Sequence, residues 1–122
     1  MKGATMNQNL INLRQRVVEA SMELIRAQRA YLDAAGKSES ELKEVAEDYL
    51  KATGPYDAAL QELRQFLLAA EPSEFIAVEL EHTERLIEAL NKEKRVGSKL
   101  IEHYVEMGAQ NVKPTSRHNE EE

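Results

Sequence analysis

Leu10-Ile11-Asn12-Leu13-Arg14-Gln15-Arg16-Val17-Val18-Glu19-Ala20-Ser21-Met22-Glu23-Leu24-Ile25 is the stretch that decides how this chain is read. Leu10, Leu13, Val17, Ala20 and Leu24 return at alternating steps of three and four, which brings them to one side of an α-helix. Met6 before them and Ala27, Tyr31 and Ala34 after them continue the series, so the pattern predicts a helix over about 6–35. A second row, Ile11, Val18, Ile25 and Leu32, repeats every seven residues beside the first and makes the stripe broader than a two-stranded coiled-coil seam. A helix with so wide an apolar side calls for two neighbours.

The same steps recur twice downstream. Leu42, Ala46, Tyr49, Thr53, Tyr56, Leu60, Leu63, Leu67 and Ala70 predict a second helix over 39–70, flanked by the row Val45, Ala52, Ala59 and Phe66. Its phase holds across Gly54-Pro55, where proline removes a donor and crowds the carbonyl four residues back, so the reading is a kink or a very tight break. Ile76, Leu80, Thr83, Ile87, Leu90, Lys94, Gly97, Ile101 and Tyr104 predict a third helix over 74–107, with a seam weakened at Lys94 and Gly97. Gly36 closes the first helix, the pair Ser38 and Glu41 has capping-box spacing, Ser73 after Pro72 suits an N-cap, and Gly108 offers a stop.

Three helices of matched length joined by short turns imply an all-α, up-down-up antiparallel three-helix bundle within a single domain, 1–107. The polar, aperiodic stretch 108–122, ending in three glutamates, reads as a disordered tail.

Composition narrows the role. Cysteine is absent from the 122 residues, which excludes a disulfide framework, a thiolate metal site and a thiol nucleophile, and favours a cytoplasmic protein. Met1 to Met6 carries no apolar run of the kind a secretory signal uses, and the longest uninterrupted apolar stretch, 66–70, is far below the ~20 residues that cross a bilayer, so no membrane association is expected. The net charge of -6 repels a phosphate backbone, so no nucleic acid is expected as a partner. Five scattered glycines form no phosphate-binding loop.

Two constellations bear on chemistry. Glu79 and His82, three apart, have the spacing of one half of a ferritin-like di-iron site, but Glu102-His103 does not supply a second Glu-x-x-His. Glu41, Glu44 and Glu47 with Glu81, Glu84 and Glu88 are similar to the carboxylates with which helical nucleotide pyrophosphohydrolases hold magnesium, yet the chain has no Glu-x-x-Asp. A carboxylate and histidine metal-binding bundle enzyme therefore stands as the alternative reading, and the leading one has no catalytic residues, no cofactor and no metal.

The leading reading is a non-enzymatic protein-interaction module: a helical adaptor, chaperone, inhibitor or assembly protein. Ile11, Val18, Ile25 and Leu32, with Leu68, Leu86, Leu100 and Met107, exceed what one three-helix core must bury and are expected to leave an apolar strip. Lys92, Lys94, Arg95 and Lys99 form the one concentration of positive charge. These eight positions, the first-helix row and the basic cluster, are the candidate interface, with a homodimer through the first helix or a docked partner helix as the expected assembly. The architecture resembles that of small helical flagellar or secretion chaperones, phage-encoded inhibitors and assembly adaptors, a likeness of fold that no motif carries.

Overall fold

A computed structural model shows an all-α three-helix bundle: α1 (Lys2–Asp33), α2 (Glu39–Ala69) and α3 (Glu74–Glu121). It describes the backbone of residues 2–121 and the side chains of residues 7–108. The predicted tail, 108–122, and the stripe residue Met6 fall outside the described side chains, apart from Gly108 itself.

Local chemistry sets both turns. Gly36 takes a φ of 90°, a left-handed conformation that costs a side-chain-bearing residue, and Lys37 N–H donates to the Ala34 carbonyl at 2.9 Å. Two residues on, the Ser38 hydroxyl accepts from the Glu41 backbone N–H at 3.3 Å while the Glu41 carboxylate accepts from the Ser38 N–H, the reciprocal capping box that the spacing predicts. Ser73 caps α3 with a single bond, its hydroxyl accepting from Ile76 N–H at 3.1 Å.

Antiparallel pairing follows from which residues meet. Arg16 reaches Glu62 at the middle of α1, and Gln28 reaches back to Tyr49 toward its C-terminal end. Along the second seam Arg64 meets Glu84, and Lys94 meets Asp57. The core is Leu10, Val17 and Leu24 from α1, Tyr49, Ala59, Leu60, Leu63 and Leu67 from α2, and Leu90 from α3. Each large aliphatic side chain taken fully from water contributes about 1.5–3 kcal/mol. α2 supplies most of this cluster because it is the middle helix and shows apolar residues to both neighbours.

The weak part of the third stripe has a structural use. A Cβ on Gly97 would stand 3.3 Å from the Leu50 Cδ1, so glycine here lets α2 and α3 approach closely. Lys94 lays its stem along the seam and donates from Nζ to the Asp57 carboxylate at 2.6 Å. That hydrogen bond holds the Asp57 carboxyl below its ordinary value of 3.8. Two buried hydroxyls are also satisfied, Thr53 donating to the Leu50 carbonyl and Thr83 to the Glu79 carbonyl. Among the described residues no buried side-chain nitrogen or oxygen lacks a partner.

α2 runs as one helix through Gly54-Pro55, so no loop separates its halves. Both residues are exposed, which lets water serve the carbonyl that proline leaves without a donor. Glycine before proline is the residue that fits, because any Cβ there meets the proline ring in the helical region.

Two stability outcomes follow. Leu63→Ala should lower unfolding free energy by ~2–5 kcal/mol in urea titration, since Leu63 is 4% exposed at the centre of the core. Pro55→Ala should raise it by about 1–3 kcal/mol by restoring a helix donor, and a loss would show that the fold uses the proline.

Candidate functional site

α1 packs on α2 and α2 packs on α3, but among the described residues no Cα of α1 comes within 8 Å of one in α3. The two outer helices run in the same direction with an open side between them. Side chains span it at three levels. Arg14 Nη1 lies 3.7 Å from Glu79 Oε1, Gln28 Nε2 donates to Glu93 Oε1 at 2.6 Å, and the Tyr31 and Tyr104 hydroxyls share a hydrogen bond of 2.8 Å. Between the first two levels lies a groove of about 240 Å³, with Val18 and Ser21 on the α1 wall, Tyr56 and Leu63 on the floor, and His82 and Leu86 on the α3 wall.

The rims of this side are apolar. Ile11 is 52% exposed, Val18 55%, Ile25 51% and Leu32 70%, so the whole predicted row of α1 is in solvent. Met22, three residues before Ile25, joins it. On α3, Phe75, Val78 and Val96 are exposed, and Phe75 shares a hollow with Leu10 of α1 at the end nearest the α2–α3 turn. Among the described residues, nine of the ten exposed large apolar side chains belong to α1 and α3, whereas α2 contributes only Leu68. Scattered apolar exposure is ordinary; its concentration on the two helices that leave a side open is not.

The basic cluster divides. Lys92, Arg95 and Lys99 are exposed and, among the described residues, have no carboxylate within 4 Å. Lys94 instead faces α2 and is engaged by Asp57. The structure therefore assigns Lys94 to the seam and leaves Lys92, Arg95 and Lys99 in solvent on α3.

The residues of the alternative metal reading are spread apart. Glu79 is held beside Arg14, Glu81 pairs with Arg85, Glu84 with Arg64, and Glu47 with Lys43. Glu41 serves the capping box. Antiparallel register places 41–47 level with the far part of α3, about 30 Å along the bundle from 81–88. Among the described residues no three His, Asp or Glu side chains converge as ion ligands do.

Sequence reasoning did not find the polar cluster at the Tyr31 end. Tyr49 receives the Gln28 amide at 3.4 Å and stacks on Tyr31 with ring centroids 6.4 Å apart. Burial, then the hydrogen bond with Tyr104, pushes the Tyr31 phenol up to about 12. Burial and then the nearby Glu93 charge raise Tyr56 as well. The available signal was that the four tyrosines fall on the stripes of three helices, one polar tip apiece.

A raised folded-state value means the neutral phenol is favoured in the fold, so its contribution is complete below the ordinary value of 10 and is lost as pH rises through about 12. Tyr104→Phe should therefore bring the Tyr31 ionisation to lower pH in an absorbance titration and weaken the alkaline fall in stability; an unchanged titration would break the assignment. Compared with family models, curated proteins and solved structures, the chain matches none.

Proposed function

We propose that this protein is a non-enzymatic interaction module of the cytoplasm that receives a protein partner along the open α1–α3 side. The observation that carries this reading is the exposure of Ile11, Val18, Met22, Ile25 and Leu32 on α1 and of Phe75, Val78 and Val96 on α3, the two helices whose backbones leave a groove between them that Val18 lines. About half of each of eight such side chains is on the order of several hundred Å² of apolar surface, the scale at which exposed patches mark contact sites. Absence of cysteine fits a reducing compartment. No described helix is long and apolar enough to cross a membrane. The separation of Glu41, Glu44 and Glu47 from Glu81, Glu84 and Glu88 speaks against the carboxylate enzyme.

Val18→Glu with Ile25→Glu tests it. Both residues are half exposed, so helix content by circular dichroism should be retained while a partner captured from host extract by the wild-type protein is lost. Equal recovery on both proteins would show that the strip is not the contact surface.

A further inference from the structure

We infer that the occupant of the α1–α3 side is an amphipathic helix of another protein, carrying an apolar stripe and carboxylates along one end. This rests on the interaction reading above and deepens it by stating the partner's chemistry. The argument comes from how charge is distributed along the two rims.

The Arg14–Glu79 and Gln28–Glu93 bridges fix the levels of α1 against α3. In the half near Arg14, rim cations are already neutralised: Arg14 by Glu79 and Arg85 by Glu81. In the other half Arg26 pairs with Glu23, but Arg29 and Lys92 have no such partner among the described residues. Arg29 follows Gln28 directly and Lys92 precedes Glu93 directly, so the two cations stand at one level along the bundle, one on α1 and one on α3. Arg29 lies four residues after Ile25 and three before Leu32, and Lys92 lies three after Ala89 and four before Val96, spacings that put each among the apolar residues of its own rim. Lys99, three beyond Val96, extends the α3 side. Among the described residues Arg29, Lys92 and Lys99 have no carboxylate within 4 Å, although the chain as a whole is acidic.

A helix laid between the rims presents apolar residues at i, i+3, i+4 and i+7 to the groove and two flanks to the rims. Carboxylates on both flanks of its far end meet Arg29, Lys92 and Lys99, while its near end meets paired charges and is left neutral. A second copy of this chain is the weaker fit. An antiparallel α1–α1 pairing that sets Ile11 against Leu32 and Val18 against Ile25 also sets Arg14 against Arg29, two like charges.

The test uses two labelled synthetic peptides of about 20 residues, of one leucine stripe, with glutamate or with lysine on the flanks of one end, measured by fluorescence anisotropy against the full chain. The glutamate peptide should bind about tenfold more tightly than the lysine peptide and lose that advantage in high salt. Arg29→Glu with Lys92→Glu should reverse the preference, and Val18→Glu with Ile25→Glu should abolish both complexes. Equal binding of the two peptides, unaltered by the charge reversal, overturns the acidic partner and leaves the interaction reading standing. Binding of neither removes both. A dimer in sedimentation that Val18→Glu with Ile25→Glu dissociates would make a second copy the occupant and overturn the inference.

Discussion

Burial of the α2 apolar surface against two neighbours at once is the interaction on which the rest of the structure depends. Leu60, Leu63 and Leu67 sit near zero exposure because α1 covers one side of the middle helix and α3 the other. Each outer helix lays most of its main stripe on α2 and meets the other only through side-chain bridges, so the row beside that stripe has no assigned cover. The exposed apolar rims and the closed core are thus two results of one arrangement. The Asp57–Lys94 pair and the Gly97–Leu50 approach serve it too, for they allow a polar and a small residue in the seam without loosening α2 from α3.

Much of this was legible in the chain. The returns of Leu10, Val17 and Leu24, and of Leu60, Leu63 and Leu67, name the buried faces directly, since helical periodicity and burial have the same physical cause. Ser38 with Glu41, Ser73 and Gly36 mark the turns because helix ends have few ways to satisfy their free backbone groups. Continuity across Pro55 was visible in the phase of the stripe, which a loop would have reset.

What periodicity does not encode is which helices share a side. Three broad stripes are equally compatible with a closed triangle and with two helices laid on a third. The choice depends on side-chain volume and on pairings such as Gln28 with Glu93 and Tyr31 with Tyr104, whose partners lie 65 and 73 residues apart. For the same reason Lys92 and Lys94, two positions apart, form one cluster in the sequence although Lys94 turns to Asp57 on α2 and Lys92 stays in solvent. A helix turns by about 100° per residue, so nearness in sequence separates such side chains around the axis.

Because backbone packing joins each helix only to the one adjoining it along the chain, each docking step closes a short loop of four or five residues between consecutive segments. Such a topology has low contact order, and chains of this kind reach their native state in microseconds to milliseconds. Two sequential hairpins, formed in either order, bring the backbones together, and the distant pairs Gln28 with Glu93 and Tyr31 with Tyr104 then form between segments already held close. Speed of self-assembly and an unfilled flank are, in this bundle, the same topological fact.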